Sequence, residues 1–269
     1  MRPTAIRRTA VAATVMSLAL LTAACGSDGD AGKDNGKASD SASAKPADKG
    51  ADKGADSTAK ALTAAELEKV SLAQGDVKDH RIAKATPADA IEGDAVTVDK
   101  AACDVFADVL MGARAGKPAA FTQRKVAGLP KKSDDPKASE DPEKMLEAMM
   151  NVTTTLTTLQ AYDGKGADEA LAGLRTAATE CASGFTLTAA GAKQKVTKIA
   201  EVPVKGGEEA VAWTVTVEGE GEKYAMKLIQ LRQGTTLASL TSLNLSAAAE
   251  GGDFELPTAV IDAQVAKLA

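Results

Sequence analysis

From Thr63 onward the apolar positions recur at two spacings, three to four residues in some stretches and two in others, and the changes of period divide the chain into elements. Thr63-Ala64-Ala65-Glu66 is a capping box: the threonine hydroxyl accepts from the amide of Glu66, and the glutamate reaches back to the Thr63 amide. It predicts a helix to about Gln74, ended by Gly75-Asp76, with an extended stretch beginning at Arg81-Ile82-Ala83. Asp99 is expected to cap a second helix, in which Cys103, Phe106, Ala107 and Leu110 share one face before Gly112 and Gly116 stop it. An extended run follows from Ala119 to Val126. The charged segment from Pro130 to Glu143 carries three prolines and reads as an exposed loop.

Met149 to Gln160 is rich in Thr, Val and Leu and favours a strand, with a helix as the alternative its pattern also suits, and Ala167 to Cys181 reads as a helix with Leu171, Leu174, Ala178 and Cys181 within one arc. The period then shortens. Phe185 to Thr188, Gln194 to Pro203, Ala210 to Glu218, Glu222 to Arg232 and Thr235 to Leu245 are strand-like runs. Gly206-Gly207, Gly219-Glu220-Gly221 and Gln233-Gly234 separate the later ones. Val211, Trp213, Val215 and Val217 alternate onto one face. A last helix runs from about Pro257 to Lys267, with Pro in its first turn, Asp262 nearer its start and Lys267 near its end, in keeping with the helix dipole. The sum is an α+β fold, an antiparallel sheet partly covered by helices, in a single domain over 61–269.

The first 60 residues follow neither period. Residues 1–24 have a cationic start, an uncharged run from Thr9 to Ala24 and then small residues, the layout of a signal peptide too short for a comfortable bilayer span. The run closes on Leu21-Thr22-Ala23-Ala24-Cys25-Gly26, which resembles the bacterial lipobox, with the usual leucine one position early and Thr22 in its place. Cys25 is the expected lipidation site, and its acyl chains would hold the protein on the extracytoplasmic side of the cell membrane. The alternative is an ordinary leader cut after Ala24. Arg7-Arg8 leaves both the general and the twin-arginine export routes open.

Between Gly26 and Lys60 no apolar side chain larger than alanine occurs, and Ala47-Asp48-Lys49-Gly50 is repeated as Ala51-Asp52-Lys53-Gly54. Such a segment buries nothing and is expected to be a disordered linker, which together with Cys25 occupies 25–60. At 35 residues its mean reach is about 30 to 35 Å.

Composition narrows the partners. Loss of Arg2, Arg7 and Arg8 from 32 basic side chains leaves 29 against 37 acidic ones, a net charge of -8 with no basic face for nucleic acid. Aromatic residues are only 3%, so the core rests on Ala, Leu, Val and Ile, and a covalent staple would matter. Cys103 and Cys181, both on apolar helix faces, are the two cysteines left for one. In an exported compartment they are expected to form a disulfide across 78 residues, the alternative being two buried free thiols.

The helix ending Ala178-Thr179-Glu180-Cys181, then Phe185-Thr186-Leu187, then Val211-Ala212-Trp213-Thr214-Val215 and the paired strands to Leu245 resemble the extracellular sensor domain of mycobacterial PknH-type receptor kinases. Many actinobacterial lipoproteins carry a similar module alone. The resemblance covers roughly Leu62 to Ala269 and implies a mixed α/β domain with helix-tying disulfides and a ligand-binding cleft. That kinase domain has two bridges, whereas one pair is available here. No kinase domain or transmembrane helix accompanies it, so direct signalling by phosphorylation is not expected.

Catalytic groups are sparse. His80 is the only histidine, so two-histidine metal motifs are excluded and a Ser-His-Asp triad would have to use it. Neither G-x-S-x-G nor a phosphate-binding P-loop occurs. Asp104 and Asp108, four apart, could face a cation but read as a solvated helix face; Glu218, Glu220 and Glu222 surround a hairpin turn without the ligand density of a calcium loop. Trp213 and Tyr224, on neighbouring strands, are the candidates for an apolar ligand floor, with core packing the plainer use. The expectation is a membrane-anchored, non-enzymatic ligand-binding or sensor-like domain without cofactor or metal. Its partner would be a small ligand, a lipid or an envelope protein. A pocketless interaction module is the alternative, and a hydrolase with an unrecognised site a further one.

Overall fold

The structure is a computed structural model describing residues 58–89, 93–130, 141–219 and 221–269. Cys25, the linker up to residue 57, residues 131–140 of the expected loop and Glu220 lie outside them.

The capping box forms as expected: the Thr63 amide donates to Glu66 Oε2 at 2.8 Å and the Glu66 amide to Thr63 Oγ1 at 3.3 Å, opening α1 (Ala64–Val70). The helix stops short of Gln74, because Ser71 turns extended and its hydroxyl takes the Leu67 carbonyl. Gln74 braces β1 (His80–Lys84), donating to the His80 carbonyl and accepting from the Ile82 amide.

After the short β2 (Val96–Val98), a 3-10 turn at Ala101–Cys103 leads into α2 (Asp104–Leu110). Asp99 caps neither; its carboxylate accepts from the Thr186 amide of a distant strand, corrected here because a carboxylate takes whichever amide the tertiary fold presents. β3 (Ala120–Gly128) follows. Pro142 and Glu143, expected in the loop, and Met149 and Met150, expected in the strand, join the residues between them in α3 (Pro142–Met150), started by Asp141 as N-cap with proline at N1. None of its residues is buried. Met145, Leu146 and Met149 are about half exposed or more.

β4 (Thr153–Ala161) and α4 (Gly166–Glu180) precede a run of four hairpins, β5 (Phe185–Ala189), β6 (Ala192–Val202), β7 (Glu209–Gly219), β8 (Glu222–Gln233) and β9 (Thr236–Asn244). Asn244 ends the last strand by capping α5 (Leu245–Ala249), and α6 (Thr258–Leu268) closes the chain with Pro257 as its N-cap residue.

All nine strands join one antiparallel sheet in the order β1-β3-β4-β9-β8-β7-β6-β5-β2. The fold is therefore α+β, with helices on both faces. On one face α2 and α4 lay Phe106, Leu110, Leu171 and Leu174 against Trp213, Val215, Val217, Leu228 and Leu237. On the other, Leu67 of α1 and Val260 and Ile261 of α6 meet Ile229, Leu231, Leu240, Leu159 and Val126. Each fully buried leucine contributes about 2 kcal/mol. With few aromatics, the edge-on pair Phe106 and Trp213, centroids 5.6 Å apart, locks α2 to the middle of the sheet.

Cys103 and Cys181 form the disulfide, with Cα atoms 5.8 Å apart and both residues buried. It joins the turn before α2 to the C-cap of α4.

Candidate functional site

α4 lies across the sheet on leucines in its middle but ends in small residues. Where Ala178 and Ala182 replace larger side chains, a solvent-open hollow of about 400 Å³ remains. Arg175, Ala178, Thr179 and Ala182 form one wall, Ile199 and Glu201 of β6 the other, and Trp213 of β7 the floor. A second shallow hollow of about 330 Å³, lined by Glu201, Val202, Pro203, Val204, Ala210 and Val211, shares Glu201 with it.

Two strand features create this opening. β5 pairs with β6 only as far as Phe185 opposite Val196, whereas β6 continues to Val202 against β7 alone. A register shift between Val196 and Lys198 inserts Thr197, so Val196 and Ile199, three apart, are both buried in the same cluster. The shifted phase puts Glu201, two residues on, beside the hollow, with Trp213 as its cross-strand partner.

Arg175 is held at the rim. Its Nη2 meets Glu209 Oε1 at 3.0 Å and donates to the Ala210 carbonyl at 3.4 Å, while its buried Nε has no hydrogen-bond partner among the described residues. Thr179 donates its hydroxyl to the Arg175 carbonyl, leaving that oxygen's acceptor capacity toward the hollow. The disulfide at Cys181 lies between Thr179 and Ala182, so the helical wall is tied covalently to α2. The arrangement offers apolar contact on Trp213, Ile199 and the two alanines, beside the carboxylate of Glu201.

The other residues singled out from sequence lie elsewhere. Tyr224 shares the face of Trp213, but its cross-strand partner is Val217 and that of Trp213 is Leu228. Four residues, about 13 Å of strand, therefore separate the two rings. Tyr224 donates to Gln194 Oε1 at 3.2 Å, and burial raises its pKa. His80 has its Nδ1 2.7 Å from the Lys78 carbonyl, on β1 near the opposite edge of the sheet.

Asp108 is half-buried with Oδ1 unpartnered; burial first, then the neighbouring Asp104, pushes its pKa up to about 6. Among the described residues no three potential ligands gather for a metal. Glu218 stands opposite Lys223 and Lys195 on its two neighbouring strands.

Arg175, Ile199 and Glu201 were not visible as site residues in the sequence. The available signal was the three-residue spacing of Val196 and Ile199, which marks the bulge.

No family model matches the chain, and no curated protein matches it. Among solved structures, it is similar to the extracellular domain of PknH from Mycobacterium tuberculosis, at 15% identity and a TM-score of 0.43, over 78% of this chain and 95% of that one. No helix among the described residues is long and apolar enough to cross a membrane.

Proposed function

We propose that residues 61–269 form a ligand-binding domain, tethered to the outer face of the cell membrane by lipid on Cys25, and that the hollow over Trp213 is its binding site. The observation that carries the site is the solvent-open hollow itself, floored by Trp213, walled by Ile199 and Ala178 and rimmed by Arg175 and Glu201. Sites of this kind orient an otherwise apolar ligand through a few fixed polar groups. The location is supported by the lipobox-like ending at Cys25 and by a buried disulfide, which persists in an oxidising compartment.

Trp213 is the chain's only tryptophan, so it reports the site directly. With 8-anilinonaphthalene-1-sulfonate as an apolar anionic probe, energy transfer from Trp213 is expected on titration, and Ala182→Phe, which fills the hollow, should weaken it at least tenfold. Transfer unaffected by that substitution places the probe elsewhere and removes the site. For the anchor, Cys25→Ser should move the protein from the membrane to the soluble fraction; continued membrane binding means another attachment.

A second reading, an interaction module, is favoured by α3, whose Met145, Leu146 and Met149 are 49 to 61% exposed. Under that reading Leu146→Asp with Met149→Asp abolishes association measured by sedimentation and leaves the Trp213 signal unchanged. An unaltered sedimentation coefficient in the double variant counts against it.

A further inference from the structure

We infer that the ligand of the hollow is an extended peptide, added as a strand along the unpaired half of β6; this rests on the hollow being the binding site. Gly219 and Glu222 close a two-residue hairpin, and such a closing pair exchanges its main-chain hydrogen bonds. Counting back in twos, Val217, Val215 and Trp213 turn their amides and carbonyls toward β8, while Thr216, Thr214 and Ala212 turn theirs toward β6. The partners of those three are Lys198, Ala200 and Val202, which therefore bond to β7.

Ile199 and Glu201 fall between and point their N–H and C=O groups outward. β5 has already ended opposite Val196, and among the described residues no hydrogen bond in the turns and loops reaches either residue.

The free stretch is bracketed. The bulge at Thr197 closes one end and Pro203, without an N–H, the other. These features and the charges of Lys198 and Glu201 discourage open-ended strand association, and they leave room for about five residues, some 16 Å of strand. α4 stands on the far side of the hollow, so an incoming strand lies between a helix and a sheet edge. Main-chain pairing then supplies affinity, and alternate side chains supply specificity. Its inward side chains would rest on Trp213, Ile199 and Ala178. The chemistry selected is an extended segment with apolar residues at alternate positions, whose main chain pairs with the outward groups of Ile199 and Glu201, groups that a compact apolar ligand could not match.

The test is to pan the full chain against a randomised octapeptide library displayed on phage, then titrate the selected peptide while following Trp213 fluorescence. Because the Glu201 amide points away from β7, Glu201→Pro removes one donor to the peptide and spares the ladder. About tenfold weaker binding than that of Glu201→Ala, which loses the same side chain but keeps the amide, is expected, as for one lost hydrogen bond. N-methylation of the peptide at the alternate residues that face β6 should weaken binding equally, and at the intervening residues should not; this arm stands even where Glu201→Pro perturbs folding. A selected peptide indifferent to both changes is held by side chains alone, which overturns strand addition. No enriched peptide, with the anilinonaphthalene signal still sensitive to Ala182→Phe, overturns the peptide and keeps the site; loss of that sensitivity overturns the site itself.

Discussion

Replacing Cys103 and Cys181 together by alanine removes a cross-link that closes 78 residues of chain. The loop-entropy relation, with that length, gives a loss of about 4.5 kcal/mol at 25 °C. Both residues are buried, so the lost sulfur contacts act in the same direction. For a domain of this size, at about 2 to 4 °C per kcal/mol, Tm should fall by roughly 10 to 15 °C. Urea unfolding followed through Trp213 provides the assay, with wild type and variant each measured with and without reductant. Reductant should bring wild type most of the way down to the variant, which lacks the sulfur contacts as well, and leave the variant unchanged. The consequence reaches the site, because the bridge fixes the wall that ends at Thr179 and Ala182; the variant should therefore show weaker energy transfer from Trp213 even at temperatures where it stays folded. A difference below about 1 kcal/mol between the oxidised protein and the variant would refute the entropic reasoning.

Arg232, nearly buried, faces Asp168 at 3.0 Å, Glu208 at 2.6 Å and Glu209 at 3.5 Å. Arg232→Met leaves these carboxylates facing one another and should cost about 2 to 4 kcal/mol in urea unfolding at pH 7, discounted for their partial exposure; a loss under about 1 kcal/mol would count against the network. The pKa of Asp108, raised to about 6 by burial and Asp104, lies above its unfolded value, so its protonated form favours the fold. That contribution is present below about pH 4 and is lost as pH rises through 6. Asp108→Asn should thus gain roughly 1 to 2 kcal/mol over wild type at pH 7.5, discounted for the partial exposure of the carboxyl, and little at pH 4, and an equal difference at both would contradict the assignment. The Arg124 guanidinium, then Thr122, lowers Glu68 to about 2, so its contribution is present above about pH 4.5 and is lost as pH falls toward 2. A melting series of Glu68→Gln from pH 5 to 2 should be flatter than wild type; parallel curves would exclude it.

Local chemistry was legible wherever it was self-contained. The Thr63 to Glu66 capping box, the hairpin around Gly234 and the alternation Val211, Trp213, Val215, Val217 each depend on residues within a few positions of one another, so sequence and structure agree. The same locality explains the misreadings. Asp99 has the chemistry of a cap, yet the amide it accepts from is 87 residues away. α3 lacks a buried residue, so no core-facing stripe announced it behind a proline-rich segment.

The sequence by itself determined the α+β class, the five strands after Cys181 and the two cysteines free to pair. The pairing of β4 with β9, which brings β1, β3 and β4 onto one edge of the C-terminal run of hairpins, was settled by the tertiary structure alone. The tertiary structure also decided that Trp213 and Tyr224 stand apart, and that β6 outlasts β5 and opens a hollow beneath α4. The physical reason is that register and strand length set which side chains meet across a sheet, and both are fixed by pairing between segments distant in the chain.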